Sequence, residues 1–276
     1  MSCSITDPGG CVIEYLFGFI VDLINMALQP FLNLNYKLLS EPVNISIFAD
    51  VWGVIIYVLS LFYGLLLIWI GFKFIISGES PEEREKAKTS LKNTLIMIVL
   101  VQTSYYIYEL ILLISSGLTK GVLNIAGNDF FNYTSESFSN LALEIIFLGL
   151  YIIHLIITSL ILMIRYIAVS SGVMFFAVGI FFYFISPLHN YGKLMINGLM
   201  VLIFLPFFYS LIFLTASRLL LLNSLSDIKI LIVIGSFDLV IISTFVLLLF
   251  VLIKAASKVM GPIAKTAIVA KTIGAI

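Results

Sequence analysis

The chain lacks the charge needed to wet a globular surface. Its 15 basic and 15 acidic residues make up 11% of the sequence, against 61% apolar residues, and the mean hydropathy is +1.16. That balance excludes a water-soluble domain and marks an integral membrane protein. Also missing are the segments of about ten residues with alternating polarity that a transmembrane barrel needs. What remains is a series of long apolar stretches, at 51–76, 94–119, 141–164, 166–186, 194–222 and 231–253. The expected fold is therefore all-α, a polytopic helical membrane protein with five to seven membrane helices.

Catalytic motifs are equally scarce. The sequence holds no Gly-rich phosphate loop, no HExxH, no nucleophile elbow and no paired intramembrane aspartates, so no enzymatic activity is expected. Energy for any transport must then come from an ion gradient or from a separate motor. With two cysteines and two histidines there is no CxxC pair or His/Cys cluster, so neither a metal site nor a cofactor is expected. Cys3 and Cys11 bracket the turn-prone Asp7-Pro8-Gly9-Gly10. They either bond, for roughly 2 to 3 kcal/mol at most, or stay as two free thiols. No basic residue precedes the apolar segment starting at Val12, so no cleaved secretory signal is expected. Within 12–32, Glu14, Asp22 and Asn25 interrupt the apolar run and Pro30 is expected to end it, which suits an interfacial helix better than a crossing one.

The one strongly charged island joins the first two apolar stretches. Ser80 suits a helix N-cap, Pro81 the first helical position, and Glu82 and Glu83 the positive end of the helix dipole. Glu82 with Lys86 and Glu85 with Lys88 have helical pair spacing, worth about 0.3 kcal/mol each. No breaker follows Asn93, so this knuckle and the next span are expected to form one continuous helix. Lys73, Arg84, Lys86, Lys88 and Lys92 cluster here, which puts the knuckle in the cytoplasm and the N-terminus outside. Two glycosylation acceptor patterns, at Asn44 and Asn132, then fall on the exterior.

The stretch 141–186 leaves the topology open, because it is too long for one ordinary span and is interrupted only at Arg165 and at Ser170-Ser171-Gly172. Two spans turning near Arg165 would put Lys254, Lys258, Lys265 and Lys271 outside, against the charge rule. One net crossing, with the remainder re-entrant or interfacial, puts those four inside with Lys193 and the five knuckle cations, leaving Lys37, Lys120, Arg218 and Lys229 outside. The count favours the single crossing; the hydropathy of 166–186 favours a further span. The expected organisation is an exterior segment at 1–49, a polytopic domain at 50–253 and a basic amphipathic tail at 254–276 that suits anionic lipid headgroups.

Ionisable groups inside the spans each cost about 2.5 to 3.5 kcal/mol near a helix centre, so they must face protein or water. Gln102, Tyr105, Tyr106 and Glu109 share one helical face; His154, Thr158 and Arg165 share another; Asp238 stands alone in the last span. Gln102, Glu109, His154, Arg165 and Asp238 either make interhelical hydrogen bonds or line an intramembrane polar path. Ser60 with Gly64, Gly117 with Gly121, and Ala168 with Gly172 have the spacing of close helix contacts, and Pro206 is expected to kink its helix.

Five segments carry a resemblance: Leu38-Leu39-Ser40-Glu41-Pro42; Trp52-Gly53-Val54-Ile55; Gly71 to Gly78 with Ser80-Pro81-Glu82-Glu83-Arg84; Ala87-Lys88 with Leu91-Lys92-Asn93; and Val101-Gln102-Thr103-Ser104-Tyr105-Tyr106. Together, over residues 35–110, they resemble the CedA family, the polytopic membrane subunits of the archaeal DNA-import system. That family is itself similar to TrbL-type inner-membrane components of type IV secretion and conjugation machines. A knuckle of this kind also occurs in two-span conjugative pilins, but a pilin would end after the second span. The resemblance implies a multi-pass, oligomeric cell-membrane subunit moving DNA, as channel component or assembly platform. Its implied partners are a hexameric HerA-like ATPase (CedB), small pilin-like membrane subunits and membrane lipids. Arg84, Lys86, Lys88 and Lys92 would dock the motor or contact phosphate. The competing classes are a secondary transporter using Glu109, His154 and Asp238 for protons or ions, and a non-conducting scaffold for a pilus.

Overall fold

The computed structural model describes residues 28–77, 80–127, 141–222 and 228–273, together with Phe19 and Met26; side chains are described for only part of 141–148 and of the segment after Val251. Every regular element among them is helical. Helix α1 covers residues 28–40. It is followed by α2 (Ala49–Ile76), α3 (Pro81–Gln102), α4 (Ser104–Ala126), α5 (Leu141–Phe184), α6 (His189–Leu220) and α7 (Lys229–Ile273). Among the described residues five segments are long and apolar enough to cross a membrane: Ser46–Ile76, Ser104–Ala126, Gly149–Phe184, Ser186–Leu220 and Leu231–Val251. The protein is a multi-pass helical membrane protein. In α2 the residues Leu61, Leu65, Ile68, Trp69 and Phe72 all lie open, an outer surface suited to lipid and not to water.

The contacts divide the chain into two compact units, and both the hairpin α2–α3 and the latter half of α5 belong to the second. The first unit takes residues up to Glu41, Ser115–Arg165 and Leu205–Thr244. Its core sets Phe237 of α7 against Tyr151 of α5 and Phe213 of α6, with ring centroids 5.7 and 5.3 Å apart. The second unit takes Pro42–Ile114, Tyr166–Phe204 and the chain from Phe245 on. Its core joins Ile56, Leu59 and Tyr63 of α2, Met97 and Val101 of α3, Tyr108 and Leu112 of α4, Val169 to Phe181 of α5, and Leu199 and Ile203 of α6.

Several expectations are corrected. The helix at 28–40 includes Pro30 in its first described turn, where proline is tolerated, and continues beyond it with Leu28, Leu32, Asn35 and Leu39 on one buried stripe. The knuckle helix and the next span are parted by one residue, Thr103, whose hydroxyl donates to the Val99 carbonyl at 2.8 Å. Ser80 and Pro81 take the N-cap and first helical positions, but the Ser80 side chain makes no cap bond. Among the described residues no ion pair joins Glu82 to Lys86 or Glu85 to Lys88; His154–Asp238 is the contact of that class.

The stretch 141–186 neither turns at Arg165 nor breaks at Ser170-Ser171-Gly172. It is one 44-residue helix, about 66 Å long at 1.5 Å per residue. The supposed break is used for packing: Ser170 Oγ donates to the Asn44 carbonyl at 2.8 Å, and Gly172 opens a notch for Tyr108. A Cβ on Gly172 would collide with the Tyr108 hydroxyl and lie 2.7 Å from Leu199 Cδ2. The other small-residue pairs do not act this way, since a Cβ at Gly64, Gly117 or Gly121 would meet nothing within 4 Å. Gly192 of α6 lies against the α5 backbone, where a Cβ would collide with the Tyr183 amide and sit 2.6 Å from the Gly179 carbonyl oxygen. Helix α6 continues past Pro206, and α7 continues from the last span into the lysine-bearing tail without interruption.

Candidate functional site

Polar chemistry collects in two places, one in each unit. In the second unit, α2 ends and α3 begins around a cleft of about 240 Å³. It is lined by Lys73, Ser77, Glu83, Lys86, Ala87 and Ser90, with Ile76 at its edge. The α2 helix closes on Ser77, whose hydroxyl donates to the Phe74 carbonyl at 3.1 Å. Helix α3 then starts at Pro81 because proline needs no amide partner there, and the Arg84 amide donates to the Ser80 carbonyl at 3.1 Å. Lys73 folds back over Trp69, 5.8 Å from the ring centroid, and Lys254 does the same over Phe250 at 5.4 Å. A lysine lying along its own helix over an aromatic ring is how a span keeps an ammonium at the interface.

The four knuckle cations are all exposed, but they do not share a face. Arg84, Lys88 and Lys92 follow one another at every fourth position and form a stripe turned away from the buried positions Ala87, Thr94, Met97 and Val101. Lys86 points the other way, into the cleft beside Lys73 and Glu83.

The same unit holds four hydrogen bonds that periodicity and hydropathy do not reveal. Trp52 Nε1 donates to the buried Ser104 hydroxyl at 3.0 Å, while Tyr105 packs its ring 5.4 Å from the Trp52 ring. Tyr108, fully buried, donates to the Val169 carbonyl at 2.6 Å. The Asn44 amide donates to the Tyr166 hydroxyl at 3.1 Å, and the Asn44 carboxamide oxygen accepts from the Ser46 amide at 2.9 Å. Asn44 is exposed; Asn132, like Cys3 and Cys11, lies outside the described residues. Trp52 and Ser104 both stand in the motif segments singled out in the sequence, and their contact gives those segments a shared reason: they brace α2 against the start of α4. Gln102, Tyr106 and Glu109 are open on the surface of this unit, so they form an outward polar stripe and not a buried one.

In the first unit two residues far apart in sequence meet. His154 Nε2 of α5 lies 2.9 Å from Asp238 Oδ1 of α7, and His154 Nδ1 lies 2.6 Å from the Leu150 carbonyl oxygen. Along the same face of α5 come Thr158, fully buried, and Arg165, 7% exposed. Arg165 is within electrostatic reach of Tyr209, whose hydroxyl shares a 2.5 Å hydrogen bond with Thr244 of α7. Asp238 is therefore not alone in its span. Glu109 belongs to the second unit. Among the described residues no group of three or more His, Cys, Asp or Glu has the arrangement of a metal site.

Residues 46–111 match the type IV secretion system pilin family. The match begins at the short helical turn before α2, takes in the whole hairpin with its charged knuckle, and ends inside α4, under a quarter of the 276 residues. No curated protein and no solved structure matches the chain. The pilin-like segment is the same stretch in which α2, α3 and the start of α4 pack on one another, and three further apolar spans follow it.

Proposed function

We propose that the chain is the polytopic membrane subunit of a type IV secretion-like DNA-transfer machine, of the DNA-import kind, acting as channel component or assembly platform. The observation that supports this most is the pilin-family match over 46–111, set in a chain with three membrane spans beyond it. A free-standing two-span pilin has no use for those three; a platform or channel subunit that receives pilin-like partners does. In this reading small pilin-like subunits pack beside a hairpin of their own kind, and a hexameric HerA-like ATPase of the CedB type supplies the energy that this chain has no nucleotide-binding motif to provide.

Five crossings among the described residues put the segment before α2 and the tail of α7 on opposite sides. With the N-terminus outside, Arg84, Lys88, Lys92, Lys193 and the lysines of α7's tail all lie in the cytoplasm, as the charge rule favours. The exposed stripe Arg84–Lys88–Lys92 is then the contact for the motor. One copy cannot enclose a DNA strand, because its intramembrane cations are too few to line a polyanion's path. A conduit takes several copies or partner subunits.

Replacing Arg84, Lys88 and Lys92 together with glutamate should abolish ATPase recruitment and DNA uptake while the protein still accumulates in the membrane. Unimpaired uptake in that variant would sink the docking role. A single cysteine at position 84, in a chain cleared of Cys3 and Cys11, should react with an impermeant maleimide only after the cells are opened. Labelling in intact cells would reverse the orientation. Solute uptake by liposomes holding the purified chain alone, driven by a proton gradient, would favour a secondary transporter instead.

A further inference from the structure

The contact between His154 and Asp238 has a hydrogen count that a simple interhelical bond would not need. Both ring nitrogens of His154 face oxygen acceptors, the Leu150 carbonyl at 2.6 Å and the Asp238 carboxylate at 2.9 Å. A neutral imidazole carries one N–H and can satisfy only one of them. With Nδ1–H given to Leu150, a bare Nε2 lone pair would face a carboxylate lone pair. Both contacts are attractive together only when one more proton lies between Nε2 and Oδ1, whichever of the two atoms holds it.

A second observation lies beside the pair. Thr103, Thr119, Ser159, Thr215 and Thr244 each give their hydroxyl to the carbonyl four residues back, the cheapest way to satisfy a hydroxyl in a membrane helix. Thr158, one turn from His154 on the same face, does not: its Oγ1 is buried and has no hydrogen-bond partner. A hydroxyl held off its own helix next to a protonatable pair is placed to bond a water molecule or a proton in transit. Asp238 is 44% open and His154 22% open, so the pair lies at the surface of this unit and is not sealed in its core.

We infer that His154, Asp238 and Thr158 form a proton-binding site within the membrane spans, which clasps α5 to α7 when it is loaded and releases them when it is empty. Its ligand is one proton taken from water; loading gives each of the two His154 contacts a hydrogen, and unloading returns the proton to water and leaves one N–H for two acceptors, so that one of the two contacts turns repulsive. The other titratable or charged groups on the described helices of this unit are Tyr36 and Lys37 of α1, Lys120 of α4, Glu144, Tyr151 and Arg165 of α5, Tyr209 and Arg218 of α6, and Lys229 at the start of α7. Tyr151 and Tyr209 are committed to the core beside Phe237 and Thr244. Arg165 stays cationic in both states, so loading raises the charge of this row by one. The site stands whether or not the chain moves DNA.

The chain has only two histidines, which makes the site directly visible. In the full chain carrying His189→Gln, labelled at histidine with nitrogen-15 and at aspartate with carbon-13 and reconstituted in liposomes, solid-state NMR reports His154 alone. At acidic pH, Nε2 should show the shared proton and a through-space contact to the Asp238 carboxyl carbon. Raising the pH should remove the proton and the contact in one step, and the melting temperature of the full chain should fall across that step. Asp238→Asn should level the melting temperature, and Thr158→Val should move the step. A contact that persists unchanged after Nε2 has lost its proton overturns the inference, as does a wild-type melting temperature indifferent to that loss.

Discussion

Gly172 offers the sharpest test of how the second unit is packed. Replacing it with alanine adds one methyl group to the middle of α5, where the new Cβ would overlap the Tyr108 hydroxyl and come within 2.7 Å of Leu199 Cδ2. Two terms oppose the change and one favours it. Overpacking in a well-filled core costs about 1 to 3 kcal/mol. Displacing the Tyr108 ring also loses its 2.6 Å bond to the Val169 carbonyl, worth about 0.5 to 1.5 kcal/mol. Against these, alanine gains about 0.8 to 1 kcal/mol of helix propensity over glycine. The clash wins, and Gly172→Ala should destabilise by about 1 to 3 kcal/mol. Equilibrium unfolding in mixed micelles would measure it. Two controls make the reasoning refutable. Gly64→Ala, which meets nothing within 4 Å, should be neutral or stabilising by up to about 1 kcal/mol. In a Tyr108→Phe background, where the clashing oxygen is gone, Gly172→Ala should cost about 1 kcal/mol less than in the wild type. If Gly172→Ala is as stable as the parent, or if the two changes simply add, the notch is not what glycine is there for.

Gly192→Ala should be worse than Gly172→Ala, about 3 kcal/mol or more, because the atoms in its way are the Tyr183 amide and the Gly179 carbonyl, which no rotamer change can move; loss of monodisperse protein on gel filtration would show it. Ser104→Ala removes the acceptor of the Trp52 indole and should cost about 1 kcal/mol. In a Trp69→Phe background the Trp52 fluorescence should shift with it, and an unchanged spectrum would refute the contact. Lys86→Glu, which alters the cleft wall and not the exposed stripe, should leave motor recruitment near wild type while the Arg84, Lys88 and Lys92 triple reversal removes it.

Much of the candidate site was legible because buried charge in a membrane is rare enough to stand out. His154, Arg165 and Asp238 were visible as the ionisable groups that apolar spans would exclude unless something held them. Their pairing was not, since nothing in a helical period says which residue of α7 meets which residue of α5. The knuckle's start at Ser80-Pro81 was legible from local chemistry alone. The division of its four cations into a stripe and a cleft wall followed from where α2 packs. Tyr108 and Trp52 went unremarked as bonding groups because a tyrosine or tryptophan in an apolar span looks like any other large apolar residue until its partner is known.

By itself, the sequence determined that this chain lives in a bilayer, that its spans are helical and that a charged elbow separates the first from the next, because hydropathy, capping and dipole preferences are properties of neighbouring residues. Only the tertiary structure decided that 141–184 is one unbroken rod, that Gly172 and Gly192 are contact points while Gly64 and Gly121 face open space, and that His154 finds Asp238. In lipid, an apolar side chain gains little by turning inward, so which helices touch is settled by close packing and a few polar bonds between distant residues, and those exist only in three dimensions.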